Sequence, residues 1–358
     1  HYRCELLAGV KVWRCPLWVP RRQSGVKRIL HLASFALTSF GVTLWQGLFW
    51  RPDVVFVVEP PLFCAPSAWI AARLSGARAW LHVQDFEVDV AFDLGLLSSG
   101  WMRHLAVELE SWLMHRFDFV STISGRMLER LAAKGVRDSQ RVLFTNWVDT
   151  DAIYPMKQPS CLRDELGIRP ETIVALYSGN MGEKQGLEVL VAAARLLAEH
   201  PQILFVLCGE GGAKKRLLEL AKDLPNVHFL QLQPLERLNA LLNLANVHLL
   251  PQRPDAADLV MPSKLQGMFA SGRPVVATAH PGTQVAQTVD GCGVVVPPGE
   301  VTALADAVLY LAEQPEERSR LGQAARMFAL THWKREKILE HIEQVFVFSA
   351  KQSVIQCH

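Results

Sequence analysis

The sequence lacks the signals of several common functional classes. Its 37 basic and 35 acidic residues leave a net charge of +2, so no global positive field would gather nucleic acid, and we expect no nucleic-acid partner. Its seven cysteines are scattered, odd in number and never in a C-x-x-C pair, which is typical of a reducing cytosol and excludes a cysteine-based zinc site. No GK[ST] triplet is present, so a P-loop is excluded.

Targeting signals and repeats are also missing. No secretory signal peptide is visible, and the chain starts at His1 rather than Met, so we expect a piece of a longer cytoplasmic protein. There is no repeat of solenoid length and no low-complexity run. A length of 358 residues exceeds one ordinary core, and 50% apolar residues are enough to fill two, so we predict two well-packed domains.

Charge is absent from one long segment. Residues 29–50 contain no Asp, Glu, Lys or Arg and follow four basic residues between positions 21 and 28. The length permits a membrane span. Six polar residues interrupt the segment, however, and Pro52 leads directly into a strand-like run, so we predict a helix packed on a sheet. Its basic and aromatic edge leaves peripheral contact with the inner membrane open as an alternative.

The chain does contain short, β-branched apolar runs that alternate with longer stretches of helical period. This alternation is typical of parallel sheets covered by helices on both faces, so the predicted fold class is α/β with doubly wound sheets. The first half predicts helices near 65–75, 100–116 and 125–134 and strands at 54–58, 79–83, 119–123 and 141–145. The second half predicts strands at 173–179, 203–209, 227–230, 247–251, 274–278 and 293–296.

A segment rich in proline and aspartate, near residues 150–170, separates the two series of strands. We therefore predict an N-terminal domain over residues 1–155 and a C-terminal domain over residues 165–332. A final helix, predicted at 334–348, has an aliphatic and aromatic face but no strand after it. We expect residues 334–350 to pack back on the N-terminal domain.

Two glycine-rich loops of the C-terminal domain follow strands, where ligands of parallel sheets bind. Their glycines let the backbone approach a ligand, and one lysine can reach a phosphate. Each loop alone also fits an ordinary tight turn, and GEGG lacks the G-x-G-x-x-G spacing, so an NAD enzyme is disfavoured. The candidate residues of these loops are Gly179, Asn180, Gly182, Lys184, Gly209, Glu210 and Gly211.

A third loop opens a helix suited to an anion. Pro262 and Ser263 are helix-start signals, and Gly272 ends the helix. A helix start offers unpaired N–H groups and the positive end of a dipole, and Lys264 adds a full charge. The alternative is an ordinary capped helix with a solvated lysine. Three such loops at equivalent strand ends favour one shared phosphate site.

In the N-terminal domain, His82 and Asp85 lie at the end of a predicted strand and are followed by three further acidic residues. An imidazole and a carboxylate at a strand end can bind sugar hydroxyls or transfer a proton, which makes both residues catalytic candidates. The alternative is a solvated acidic loop beside a core histidine.

Six runs spread over nearly the whole chain match one known family. They are TISGRM, NWVDTDAIYP, YSGNMGEKQGLEVLVAAARLL, FVLCGEGG, FLQLQPLERLNALLNLANVHLLPQ and PSKLQGMFASGRPVVAT. They resemble the retaining GT-B glycosyltransferases of glycosyltransferase family 4. Within that family, the segment WLHVQDFEVDVAFDLGLL looks closest to the colanic acid biosynthesis glycosyltransferases, usually named as fucosyltransferases, of bacterial exopolysaccharide assembly.

The resemblance implies two Rossmann-like domains that face a cleft, with the acceptor on the first and the nucleotide sugar mainly on the second. It implies transfer of a fucose-type or mannose-type sugar, from a GDP-sugar rather than a UDP-sugar, to a lipid-linked saccharide at the inner membrane face. Lys184 and Lys264 would neutralise the diphosphate, so no metal and no cofactor is expected. Backbone groups near Leu232 would hold the base. His82 and Asp85 would face the acceptor and the transferred sugar, and neither is expected to act as a covalent nucleophile.

Two departures from the family pattern bear on these expectations. The family often has two glutamates eight positions apart near the PSK run, and Leu259 and Gly267 stand at those places. Asp255 or Asp258 is a candidate to substitute for them. Relatives also begin with a further strand and a glycine-rich loop, so we expect the N-terminal domain to be incomplete at its start. A non-catalytic scaffold of polysaccharide assembly and a nucleotide-sugar epimerase stay open as alternatives.

Overall fold

The computed structural model describes residues 1–20, 25–86, 100–182, 185–254 and 261–355. The chain forms two compact units. The first unit holds residues 1–145 together with the chain from Glu340 onwards, and the second holds Asn146–Leu339. The chain therefore leaves the first unit after Thr145 and returns to it at Glu340. The segment rich in proline and aspartate belongs to the second unit.

An antiparallel hairpin that the sequence did not reveal opens the first unit. Strands β1 (Arg3–Leu7) and β2 (Val10–Arg14) are joined by Ala8 and Gly9, whose φ angles are 48° and 83°. Two successive positive φ angles are typical of a tight turn that matches the twist of its strands. Residues 2–6 and 10–12 do alternate between apolar and charged side chains, but most hairpin residues are exposed, so this short alternation marks no buried face.

Helix α1 (Gly25–Trp50) contains the uncharged segment. The prediction that it packs on a sheet was wrong, because it packs mainly along helix α2 (Ala65–Ser75). Gly47 permits this close approach, since a Cβ there would lie 3.0 Å from the Cβ of Ala71. By length and composition, Ile29–Trp50 is able to cross a membrane, and only 6% of its most apolar stretch is buried. Much of its apolar surface therefore stays outside the core of the unit.

A four-stranded parallel sheet organises the core of the first unit. In spatial order its strands are β3 (Val54–Glu59), β4 (Arg78–Val83), β5 (Phe119–Thr122) and β6 (Arg141–Leu143). Helices α3 (Gly100–Met114) and α4 (Gly125–Ala133) lie between strands along the chain. Leu81 and Val83 of β4 enter the apolar core with side chains from both helices. These elements lie where the alternation of the sequence predicts them.

The second unit has a six-stranded parallel sheet. In spatial order its strands are β12 (Gly293–Val296), β11 (Val275–Thr278), β10 (Val247–Leu250), β7 (Ile173–Ser178), β8 (Ile203–Cys208) and β9 (Val227–Leu230). Alternate residues of the central strand β7 belong to different apolar clusters, so both faces of the sheet are covered. The helices are α5 (Cys161–Glu165), α6 (Glu188–Leu196), α7 (Lys214–Leu220), α8 (Leu238–Leu244), α9 (Lys264–Ala270), α10 (Gln284–Val289), α11 (Val301–Glu313) and α12 (Pro315–His332).

The last helix, α13 (Arg335–Ile355), begins in the second unit and ends in the first. It extends seven residues beyond its predicted end at 348. The ring of Phe346 lies 4.5 Å from the ring of Trp80 on β4 and 6.0 Å from the ring of Phe56 on β3. An aromatic side chain of the last helix therefore covers one face of the N-terminal sheet.

Candidate functional site

Two glycine loops meet at the carboxyl ends of β7 and β8, and the first of them borders the point between β7 and β10 where the strand order of the second sheet reverses. From β7 the strands run outward as β8 and β9 on one side and as β10, β11 and β12 on the other, and ligands of such sheets bind at this switch point. Gly179 follows β7, and its N–H donates to the carbonyl of Cys208 at 3.0 Å. A Cβ on Gly209, which follows β8, would lie 1.9 Å from the carbonyl oxygen of Gly179. Only glycine fits there.

The contact continues along both loops. The N–H of Met181 donates to the carbonyl of Glu210 at 2.8 Å, and the N–H of Ala213 donates to the carbonyl of Met181 at 2.9 Å. A Cβ on Gly211 would lie 2.4 Å from the Met181 carbonyl and 2.8 Å from Oδ1 of Asn180. The structure thus brings the described candidate residues of the two loops together as one surface.

Lys264 lies beside this surface as the first residue of α9. Its Nζ is 3.3 Å from the hydroxyl of Tyr177, 4.3 Å from the centre of that ring and 3.7 Å from where a Cβ on Gly179 would lie. Burial lowers the pKa of Lys264 to about 8, because the ammonium group loses solvation. No carboxylate of the described residues forms an ion pair with it. A partly desolvated cation that no described carboxylate neutralises is suited to bind an anionic ligand.

The start of α9 differs from the prediction in one respect. Pro262 and Ser263 do precede the helix, and the N–H of Leu265 donates to the carbonyl of Pro262 at 3.0 Å. Ser263, however, has helical angles and makes no side-chain cap hydrogen bond, since a capping residue needs an extended backbone. Its hydroxyl is therefore not committed to the N–H groups of α9. Gly272 follows the helix with a φ of 69°, as its role at the helix end predicts.

The remaining donor-site candidates are less constrained. Lys184 lies outside the described residues. Leu232 follows the edge strand β9, and its side chain is exposed. Glu210 forms an ion pair with Lys214 at the start of α7. Gly182 borders Asn180, whose amide nitrogen would lie 3.4 Å from a Cβ at that position.

His82 is enclosed among aromatic rings on the N-terminal sheet. Its ring stacks at 5.7 Å on Phe56 and lies 4.9 Å from the ring of Phe144. Its Nδ1 is 2.8 Å from the hydroxyl of Ser121, and its Nε2 is 3.1 Å from the amide nitrogen of Gln84. Burial lowers the pKa of His82 to about 4, so the ring is neutral at neutral pH. With 4% of the residue exposed, this geometry favours a positioning role through Gln84. Direct contact with substrate stays a prediction.

The acidic candidates are only partly described. Asp85 lies just beyond β4 and is half-buried. The acidic residues at positions 87, 89, 93, 255 and 258 lie outside the described residues, as does Leu259. Gly267, at the other family glutamate position, faces helix α8, because a Cβ there would lie 3.3 Å from Cδ1 of Leu242. Across the described ranges, no three His, Cys, Asp or Glu side chains come together as metal ligands would.

Three neighbours of these candidates were missed by sequence reasoning. Tyr177 shapes the first glycine loop, because its hydroxyl donates to the carbonyl of Asn180 at 2.6 Å. Its only signal was a tyrosine at the end of an otherwise aliphatic strand. Ser121 and Gln84 hold the ring of His82. Gln84 lies within the segment WLHVQDFEVDVAFDLGLL but was not singled out there, and Ser121 lies in a predicted strand without a motif.

Two family models match the chain. Residues 161–328 match the model "Glycosyl transferases group 1", and residues 2–147 match the model "Glycosyl transferase 4-like domain". The first match lies within the second structural unit. The second match covers nearly all of residues 1–145. Each unit is thus assigned to a glycosyltransferase domain.

Individual relatives agree with the family models. WcaI of Escherichia coli (strain K12), named as a glycosyl transferase of colanic acid biosynthesis, is 39% identical over 338 residues, which are 92% of this chain and 82% of that protein. Sucrose-phosphate synthase from Thermosynechococcus elongatus has a TM-score of 0.75 at 20% identity and covers 97% of this chain and 85% of its own. Anabaena Alr3699/HepE in complex with UDP has a TM-score of 0.71 at 18% identity, with 91% and 84% covered.

The relatives confirm the resemblance found in the motifs and the α/β fold of two Rossmann-like domains predicted from the alternation of strands and helices. The order of the six-stranded sheet is the order expected for a doubly wound domain. The chain belongs to the group 1 glycosyltransferases with a family 4-like N-terminal domain, and it is a glycosyltransferase of the GT-B fold.

Proposed function

We propose that this glycosyltransferase transfers a fucose-type or mannose-type sugar, with retention, from a GDP-sugar to a lipid-linked saccharide during assembly of a colanic-acid-like exopolysaccharide. The observation that carries the proposal is the ammonium group of Lys264, which lies beside two interlocked glycine loops at the switch point of the sheet. The 39% identity to WcaI, a protein named for colanic acid biosynthesis, supports the class of saccharide.

In the proposed reaction, the bond between the anomeric carbon and the diphosphate oxygen breaks. The acceptor oxygen bonds to the same face of the sugar, and its proton passes to the departing phosphate oxygen. No covalent sugar–enzyme intermediate is then required. Negative charge grows on the diphosphate as it leaves, and Lys264 stabilises this charge in a partly desolvated setting, where charge interactions are stronger than in water. Lys184 is the second proposed cation.

The acceptor side of the proposal rests on His82 and Asp85. His82, held by Ser121, orients the amide of Gln84 through the 3.1 Å contact between them. A neutral imidazole with a pKa of about 4 is a poor general acid at neutral pH, so we assign its role to hydrogen bonding. Asp85 is proposed to accept a hydrogen bond from a sugar hydroxyl.

Calorimetric titration of GDP, UDP and ADP into the whole chain tests the donor site. We expect GDP to bind preferentially. Lys264→Ala should weaken its binding by about 1–3 kcal/mol, the usual loss for a charge-assisted contact. Lys222→Ala is the matched control. Lys222 follows the end of α7 and forms an exposed ion pair with Glu219. Unchanged GDP binding in Lys264→Ala, or an equal loss in the control, would contradict the assignment of Lys264.

Transfer is tested with GDP-fucose and GDP-mannose on lipid-linked saccharides. Sugar that appears on the lipid supports the proposal. Donor binding without any transfer would favour the scaffold alternative. The observation behind that alternative is Gly267, which faces the core and leaves no carboxylate at that family position. An altered sugar nucleotide formed without acceptor would favour the epimerase alternative.

We also propose that the first unit contacts the cytoplasmic face of the inner membrane peripherally. On α1, Leu37, Phe49 and Trp50 are 78%, 75% and 73% exposed. On α3, four exposed apolar residues recur at helical spacing: Trp101, Leu105, Leu109 and Trp112. The guanidinium of Arg116 lies 4.4 Å from the centre of the Trp112 ring. Apolar and aromatic faces with basic neighbours are typical of helices at a membrane surface, where a lipid-linked acceptor would be found.

A further inference from the structure

A cavity of about 570 Å³ opens in the second unit at the edge of the sheet opposite the glycine loops. Asn246 and Pro274 line it, and they directly precede β10 and β11. Gly179 and Gly209, in contrast, directly follow β7 and β8. Because all six strands are parallel, their starts and ends lie at opposite edges of the sheet. The cavity is therefore separate from the proposed donor site.

The lining of this cavity carries positive charge without acidic residues. Arg273 immediately precedes Pro274, and Arg318 and Arg326 lie on α12. None of the lining residues is Asp or Glu. Asp151 acts electrostatically on Arg326 but is not part of the lining. The uncharged polar side chains of the lining are Asn246, Ser319 and Gln323.

The guanidinium of Arg273 is not committed to the fold. It forms no hydrogen bond or ion pair with the described parts of the chain, and its Nε is buried without a partner. Burial and then the positive charges of Arg318 and Arg163 lower the pKa of Arg273. A buried donor without a partner destabilises the folded state, so an anion bound here would stabilise the folded unit.

The other two arginines are fixed by backbone carbonyls. Arg318 donates to the carbonyl of Leu311, near the end of α11, at 2.6 Å. Arg326 donates to the carbonyls of Ala270 at 2.7 Å and Ile153 at 2.8 Å. Carbonyl groups carry no net charge, so these bonds orient both guanidinium groups without neutralising them. The cavity therefore presents preoriented cations.

We propose that this cavity binds a phosphorylated small molecule outside the donor site. Guanidinium groups bind phosphate oxygens through paired, charge-assisted hydrogen bonds, and three arginines line this one cavity. The volume lies within the range of small-molecule pockets, about 300–1,000 Å³. The cavity wall is also tightly built, because a Cβ on Gly322 of α12 would lie 2.4 Å from the carbonyl oxygen of Gly272.

Calorimetric titration of inorganic pyrophosphate and of a hexose 6-phosphate into the whole chain tests the proposal. The Lys264→Ala variant is used throughout, so that the donor site contributes little. We expect at least one anion to bind with a Kd below about 1 mM, and Arg273→Gln to weaken this binding by about tenfold or more. Arg320→Gln is the matched control, because Arg320 also lies on α12 but pairs with Glu317 outside the cavity.

The stronger ligand identifies the source of the phosphate, since pyrophosphate represents an inorganic anion and the hexose phosphate a metabolite. The proposal is overturned if neither anion binds, or if Arg273→Gln binds as well as the control. A second measurement needs no cavity variant. Phenylglyoxal modification of the unaltered chain, read by peptide mass spectrometry, should be slowed by the anion at Arg273 and not at Arg320. Equal rates at Arg273 with and without the anion would also overturn it.

Discussion

At the scale of single residues, the pKa of Lys264 sets the pH range of donor binding. Its ammonium group is charged below about pH 8 and loses its proton above that value. Because a diphosphate binds the charged form, we expect the affinity for GDP to fall as the pH rises above about 8, by up to about tenfold per pH unit. The measurement is the Kd of GDP at several pH values between about 7 and 9.5.

Lys264→Arg separates this effect from other titrations. Arginine stays charged over the whole range, so its GDP affinity should be independent of pH. If the arginine variant shows the same decline as the lysine, another group causes the decline and Lys264 is not the anion-binding cation.

Two buried histidines should make the protein sensitive to acid. Burial lowers the pKa of His82 to about 4, and burial with the charge of Arg273 lowers the pKa of His248 to about 3. In the unfolded chain a histidine has a pKa of about 6.5. Below that pH the unfolded chain binds protons that the folded chain does not, so the free energy of unfolding falls. We expect a loss of about 2 kcal/mol per histidine between pH 7 and pH 5.

Guanidinium-induced unfolding at the two pH values measures this loss. His82→Phe keeps an aromatic ring beside Phe56 and Phe144 and should reduce the loss by about 2 kcal/mol in the transition of the first unit. His104 on α3 provides the control, because its side chain is 81% exposed, and His104→Phe should keep the full loss. An unchanged loss in His82→Phe would show that His82 is not kept neutral by burial.

Single residues were predictable from the sequence where the residue type itself carries the chemistry. Lys264 was identified because a lysine at a helix start after an apolar strand is a recognisable arrangement. Tyr177 and Gln84 were missed, because each acts through a contact that the residue type does not reveal. The hydroxyl of Tyr177 contacts a carbonyl of the following loop, and the amide of Gln84 contacts the side chain of His82. The burial of His82 depends on Phe56 and Phe144, which are distant in sequence.

At the scale of elements, the two interlocked glycine loops should tolerate almost no side chain. A Cβ on Gly209 would lie 1.9 Å from the carbonyl oxygen of Gly179, at a φ of 149° that only glycine adopts readily. We expect Gly209→Ala to force the loops apart and to abolish GDP binding. Isothermal calorimetry, with circular dichroism to confirm folding, measures this.

Gly212 offers a matched control three positions later. A Cβ there would meet nothing within 4 Å. Gly212→Ala should therefore bind GDP as the unaltered chain does. If both alanine variants bind GDP normally, the backbone contact between the loops is not needed for the donor site.

The ten parallel strands that the structure describes were predictable, because each is a short β-branched run between helical stretches. The N-terminal hairpin was not predicted, since its strands show only a short alternation and most of their residues are exposed. The partner of α1 was also out of reach. The apolar residues of α1 do not show which element packs against it, because the contact with α2 depends on the close fit of Gly47 against Ala71.

At the scale of the whole molecule, the exposed apolar residues of α1 predict binding to vesicles. Replacing Leu37, Phe49 and Trp50 together with glutamine should reduce co-sedimentation with vesicles that contain anionic lipid by about tenfold or more. The control replaces three exposed leucines of the second unit with glutamine: Leu196, Leu218 and Leu220.

A peripheral protein should also be released by alkaline carbonate. Retention after carbonate would indicate that α1 spans the bilayer, and equal binding by both triple variants would exclude α1 as the contact.

The return of the last helix to the first unit matters while the protein is being made. Phe346 contacts Trp80, so the N-terminal sheet gains this contact only after the ribosome has synthesised residue 346. At about 5–20 residues per second, the whole of Asn146–Leu339 is synthesised in between, which takes tens of seconds. The second unit can thus fold before the first is finished. A nascent chain stalled before Glu340 would present Trp80 and Phe56 to chaperones as an unfinished surface.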